Sequence, residues 1–154
     1  MHIREDDLTG PEIAALLRAH LATMARNSPP GSNHALDLDA LRRPEITFWT
    51  VWGGSVLLGC GALKEIDSRH GEIKSMHTAE SHRGRGVARK LVDHILFTAR
   101  ERGYTRLSLE TGSMEAFAPA RALYASFGFE YTGPFEGYVL DPQSVYMTLA
   151  LPRD

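Results

Sequence analysis

The chain has a single cysteine, Cys60, which excludes an intrachain disulfide and any site built from several thiolates. Its apolar runs all fall short of the roughly 20 residues needed to span a bilayer. The opening segment, Met1 to Asp7, lacks the apolar stretch of a secretory signal. There is no basic excess either: 17 Lys and Arg stand against 19 Asp and Glu, for a net charge of −2. A dedicated nucleic-acid binder needs the opposite balance to neutralise phosphates. Repeats, low-complexity tracts and long linkers are missing. His2, His70, His82 and His94 are scattered without metal-ligand spacing, so no metal is expected. With 43% hydrophobic and 23% charged residues, the composition is that of a folded chain. At 154 residues, two domains would each sit near the lower limit for a self-sufficient core. The expectation is one soluble, cytoplasmic domain over residues 1–154, with neither nucleic acid nor membrane as partner.

What is present is a sequence of alternating periods. Gly10-Pro11-Glu12 opens a helix in which Ile13, Leu16, Leu17, His20, Leu21 and Met24 recur at helical spacing. The turn-forming stretch Asn27 to His34 reads as a loop, and Asp37 to Arg42 as a short helix ending before Pro44. Ile46 to Trp52 and Ser55 to Leu63, joined by Gly53-Gly54, carry a hairpin signal. Glu72 to Thr78 is a third strand. Val87, Ala88, Leu91, Val92, Ile95, Leu96 and Ala99 then form the apolar stripe of a helix capped by Gly103. A strand over Thr105 to Thr111, a helix from about Pro119 to Phe127, a short strand at Phe129 to Tyr131 and a last strand from Ser144 to Leu151 complete the chain. With a strand ahead of the first helix, the order is strand, two helices, three strands, helix, strand, helix, two strands. A mixed sheet covered by helices on both faces buries this order, an α/β architecture.

The chemistry concentrates where the third strand runs through Arg83-Gly84-Arg85-Gly86-Val87-Ala88 into a helix. The glycines let the backbone take positive φ and approach a ligand closely. The first helical N–H groups converge there, and the helix dipole favours an anion. Arg83, Arg85 and Arg89 add positive charge, so the turn reads as a phosphate site. It is not a P-loop, which needs Gly-Lys-Ser/Thr, nor a dinucleotide fingerprint with three spaced glycines and a later acid.

Arg83-x-x-Gly86-x-Ala88 matches the Gln/Arg-x-x-Gly-x-Gly/Ala signature, and with Leu123-Tyr124-Ala125-Ser126-Phe127-Gly128-Phe129 the chain resembles the GNAT (Gcn5-related) N-acetyltransferase superfamily. Ser28-Pro29-Pro30, His34-Ala35-Leu36, Pro44 to Trp49 and Leu109 to Met114 further resemble a bacterial subgroup of it. The resemblance implies a GNAT-like fold: a central, mostly antiparallel sheet with a splayed parallel strand pair. It implies acetyl-CoA as acyl donor, with the diphosphate on Arg83, Gly84, Arg85, Gly86, Val87 and Ala88. The pantetheine arm would pair with the strand carrying Met76, His77 and Thr78. A backbone N–H near Met76 or His77 would polarise the thioester carbonyl as it gains charge.

The resemblance also distributes the catalytic roles. Tyr124 is expected to be the general acid facing the CoA sulfur. Glu72, eleven residues before Arg83, is the candidate base, acting through water; Glu110 is a rival and Glu65 a weaker one, and His77 is a proton-relay candidate behind its main-chain role. Where the superfamily often has an asparagine against the cofactor, seven residues before that tyrosine, this chain has Phe117. His34, Arg42, Arg43 and Tyr138 are candidates for recognising polar groups of the acceptor, and Trp49 and Trp52 for the pocket wall, with core or dimer packing as the alternative for the strand tryptophans. The expected activity is direct acetyl transfer to the amine of a small molecule, by a monomer or a homodimer. The alternatives are a catalytically silent CoA-binding sensor and a protein N-terminal or lysine acetyltransferase.

Overall fold

A computed structural model describes residues 1–27 and 38–152. The described elements run β1 (His2–Glu5), α1 (Pro11–Asn27), α2 (Leu38–Leu41), β2 (Ile46–Gly53), β3 (Val56–Asp67), β4 (His70–Thr78), α3 (Val87–Glu101), β5 (Arg106–Gly112), α4 (Ala118–Ser126), β6 (Glu130–Thr132) and β7 (Ser144–Ala150). This is the order expected from the sequence. One seven-stranded sheet, ordered β1-β2-β3-β4-β5-β7-β6, carries all the strands. Its strand pairs are antiparallel except β4 with β5.

Side chains along β3, whose alternation is broken once by a bulge at Leu58, divide the core into two layers. Leu58 and Leu63 face one side with α3 and α4, whereas Cys60 and Ala62 face α1 and α2. On the first side, α3 buries Val87, Leu91, Val92, Ile95, Leu96 and Ala99. Each fully buried aliphatic side chain of this kind contributes about 1.5–3 kcal/mol. Ile13, Leu16 and Leu17 do the same for α1 on the other side. The β3–β4 hairpin is longer than the apolar pattern suggests, since β3 continues through Lys64, Glu65 and Asp67. These polar residues alternate outward while the backbone pairing continues, and Asp67 Oδ1 accepts the Arg69 N–H at 2.8 Å to close the turn.

Two irregularities in β4 give the sheet its local shape. Cys60 pairs with His77 and Ala62 with Lys74, so β4 holds one residue more than β3 across this interval. That is a β-bulge, and Ser75 absorbs it at φ 55°. Opposite, the bare Cα of Gly61 leaves the space that the Met76 sulfur occupies. The second irregularity is the end of the parallel ladder. β4 and β5 pair only over His70–Ile73 and Arg106–Leu109. Beyond that point β4 pairs with β3 and β5 with β7. The two strands part, as expected, and leave a gap.

Candidate active site

The turn after β4 has the geometry of an anion site. Gly84 and Gly86 lie at φ 78° and 83°, in open space where only the backbone angle calls for glycine. Gly86 is the N-cap of α3, without a side-chain cap, and its carbonyl accepts the Lys90 N–H at 3.0 Å. The amides of Val87, Ala88 and Arg89 therefore precede the first intrahelical donor and are offered outward. Gly59 brings this helix start close to the sheet, because a Cβ there would collide with Val87 and with the His77 carbonyl. Arg83 lines the space in front of the turn. Arg89 is held alongside, donating to Ser126 Oγ at 3.1 Å with its guanidinium over the Phe127 ring.

The gap between β4 and β5 opens into a cavity of about 620 Å³, within the range of small-molecule sites. Its walls come from α1 (His20, Thr23, Met24), β4 from Glu72 to Thr78, the glycine turn, Glu110 and Thr111 of β5, α4 and Tyr138. Among the expected cofactor contacts, Met76, His77, Thr78, Arg83, Gly84, Gly86, Val87, Ala88, Phe117 and Tyr124 all line it. Arg85 is exposed and does not line it.

Tyr124 is 5% exposed. Its ring packs edge-on against Phe129, and its carbonyl accepts the N–H of Phe127 and Phe129. Burial raises the phenol pKa, so the hydroxyl keeps its proton throughout the neutral range. Phe117 closes a 3-10 turn and lies on the bare Cα of Gly112, where any Cβ would strike the ring. Arg121 fixes that turn from below, donating to the carbonyls of Gly112 at 2.8 Å and Met114 at 2.9 Å.

Glu72 is almost fully buried, yet it is not alone. Lys74 Nζ and Tyr138 OH donate to its Oε2 at 2.9 and 2.7 Å, and Lys74 Nζ also reaches Tyr138 OH at 2.9 Å. This triangle ties the loop before β7 to β4. A buried carboxylate needs such partners. The second oxygen, Oε1, accepts no hydrogen bond among the described residues. Burial and then the neighbouring Glu72 carboxylate raise the Tyr138 pKa, so that hydroxyl stays a donor. Glu110, just past the parallel ladder on β5, faces the same side of the cavity.

One contact has no signal in the sequence. His20 of α1 and His77 of β4 meet with Nδ1 atoms 3.2 Å apart and ring centroids 4.9 Å apart. Burial holds both rings neutral, with pKa values lowered to about 4. His20 falls in the helical stripe where the spacing marks only core, and pairing with a strand 57 residues away leaves no local trace.

Other expectations do not reach the cavity. Trp49 is 2% exposed and packs edge-on against His94 of α3, as a core residue of β2. Its indole is directed inward by the strand's alternation, so it is not an acceptor contact. Arg42 donates to the Leu8 carbonyl at 2.8 Å and joins the chain ends of α2 and β1; Arg43 is exposed and does not line the cavity. Tyr104 OH donates to Glu65 at 2.7 Å, outside the cavity wall. His34 lies outside the described residues. Cys60 is buried with its thiol pKa pushed up to about 12, which makes it inert as a nucleophile. Among the described residues no three metal-binding side chains gather.

Comparison with known proteins supplies an independent line. The family model for the Acetyltransferase (GNAT) family matches residues 13–129. The chain is 59% identical over 151 residues to the uncharacterized N-acetyltransferase YsnE of Bacillus subtilis (strain 168), covering 98% of this chain and 100% of that one. It is 48% identical over 149 residues to YedL, an uncharacterized N-acetyltransferase of Escherichia coli (strain K12), covering 97% and 94%. In fold it is similar to a crystal structure of a Bacillus subtilis acetyltransferase in complex with CoA, with TM-score 0.72, 20% identity and coverage of 98% and 99%.

Proposed function

Since this chain belongs to the Acetyltransferase (GNAT) family, we propose that it transfers an acetyl group from acetyl-CoA directly to the amine of a small molecule. One observation carries the reading. The glycine turn with its outward amides and the parted strands β4 and β5 open onto the same cavity, and Tyr124 lines it. A diphosphate on the turn leaves the pantetheine to run along the unpaired edge of residues 74–78, like an added strand. The thioester then lies in the gap. A cavity of about 620 Å³ that must hold both the thioester and the acceptor favours a small acceptor over a polypeptide, and the CoA-bound neighbour supports the choice of donor.

The acceptor nitrogen attacks the thioester carbon, the C–N bond forms, and the C–S bond breaks. Charge on the carbonyl oxygen is met by backbone N–H near Met76 or His77. Tyr124 donates its hydroxyl proton to the departing sulfur. The nitrogen loses its proton on the carboxylate side, to Glu72 through a water on Oε1, with Glu110 as the alternative. Phe117 takes the position of a polar cofactor contact and offers the pantetheine an apolar wall instead.

Thiol release from acetyl-CoA, measured across a panel of aliphatic, aromatic and amino-acid amines, tests this. At least one acceptor is expected to be turned over. CoA binding without release for any amine contradicts the acyl-transfer reading, and no binding at millimolar CoA contradicts the site itself.

A further inference from the structure

A buried base must be emptied every turnover. Glu72 is 2% exposed and is locked to a lysine that is already protonated and a phenol that holds its proton. Neither partner can take a second proton onward. Among the described residues lining the cavity, His20 and His77 are the only imidazoles.

Their contact fixes the protonation pattern. Two neutral rings carry two N–H protons on four nitrogens. An Nδ1–Nδ1 hydrogen bond at 3.2 Å uses one proton and one lone pair. The donating ring is left with an open lone pair on Nε2, and the accepting ring with an Nε2–H. If the open Nε2 gains a proton, that ring becomes an imidazolium whose Nδ1–H still donates to its neighbour, so the charge is met without any movement. The other group opposite His77 is Cys60 on β3, a protonated thiol. Arg83 is the cation whose field reaches the pair, and on β4 itself Glu72 and Lys74 are closed on each other. Among the described residues no carboxylate is hydrogen-bonded to either ring, so a proton there is held only in passing.

We infer that His20 and His77 form the proton outlet of the acceptor side: the proton that Glu72 takes from the amine crosses cavity water to the open Nε2 and passes from there to solvent. The inference rests on the acyl-transfer reading. The atoms balance: the amine loses one proton to Glu72, Glu72 passes it on to the pair, and water receives it before the next turnover. Low proton affinity suits the task, because the outlet is empty at neutral pH.

His20→Asn and His77→Asn, singly and together, test it with an amine that the wild-type protein acetylates. Each single variant is expected to lower kcat about tenfold or more at neutral pH, with the CoA affinity of His20→Asn within about twofold of wild type. The double variant is expected to lose no more than the worse single one, because the two rings act as a unit. Imidazole added to the buffer should restore part of the loss in His20→Asn, which a purely structural role would not show. Single variants within twofold of wild type in kcat, or losses that multiply in the double variant, overturn the inference while leaving acetyl transfer standing. Nitrogen-15 NMR of the histidine rings gives a readout that does not depend on turnover. One ring should be the Nδ1–H tautomer and the other Nε2–H; both rings as Nε2–H would overturn the pairing. Absence of turnover by the wild-type protein contradicts the function and this inference together.

Discussion

Tyr124, Glu72 and Lys74 are single side chains whose loss should separate chemistry from stability. Tyr124→Phe removes one oxygen from a packed ring and leaves its contact with Phe129 intact. A fall in kcat of about a hundredfold is expected with little change in CoA affinity or melting temperature, read by steady-state kinetics and calorimetry. Glu72→Gln should also lower kcat, and it weakens the hold on Lys74. Glu72→Ala goes further and leaves the Lys74 ammonium, 9% exposed, without its counter-charge. That should cost about 3 kcal/mol in urea denaturation, whereas Glu110→Ala should cost much less. Equal losses for the two glutamates would contradict the role given to the triangle. At this scale the sequence was only partly legible. Tyr124 and Glu72 stand in recognisable motifs, but Lys74 and Tyr138 are 64 residues apart, and no spacing rule connects them. Trp49 illustrates the converse: a large aromatic suggests a binding wall, and strand alternation buries it.

Elements were more legible than partners, because apolar period and glycine punctuation are local. The stripe of α3, its N-terminal Gly86 and its cap at Gly103 (φ 80°) follow directly from the sequence. The bulge at Ser75 does not, since it arises from how β4 fits β3 rather than from a residue preference. Two predictions belong here. Ala at Gly84 and Gly86 together forces two positive-φ positions on residues that disfavour them, at about 1 kcal/mol each. CoA affinity should fall at least tenfold by calorimetry if those amides hold the diphosphate, and an unchanged affinity would contradict it. The second concerns α1 packed on β4. His20 and His77 bind protons near the ordinary 6.5 when unfolded but only near 4 when folded. Between these values the unfolded chain takes up more protons, so stability is full above pH 6.5 and is lost as pH falls toward 4. A melting series should show this decline, made shallower by His20→Asn. A slope indifferent to that substitution would place the loss elsewhere.

At the scale of the molecule, sheet order and strand parting turn a sequence motif into a site. The element order was readable, and the mixed sheet with helices on both faces followed from it. The separation of β4 and β5 after Ile73 and Leu109 is a property of the assembled sheet. It requires β5 to continue with β7 while β4 continues with β3, and the motif at Arg83 gains its meaning only beside that gap. Among the described residues no helix is long and apolar enough to cross a membrane. A crystal structure with acetyl-CoA bound tests the whole arrangement at once. Diphosphate oxygens should lie within hydrogen-bonding distance of the amides from Gly84 to Arg89, with pantetheine along residues 74–78 and sulfur beside the Tyr124 hydroxyl. Cofactor bound away from that turn, or β4 and β5 paired along their full length around it, would contradict the account.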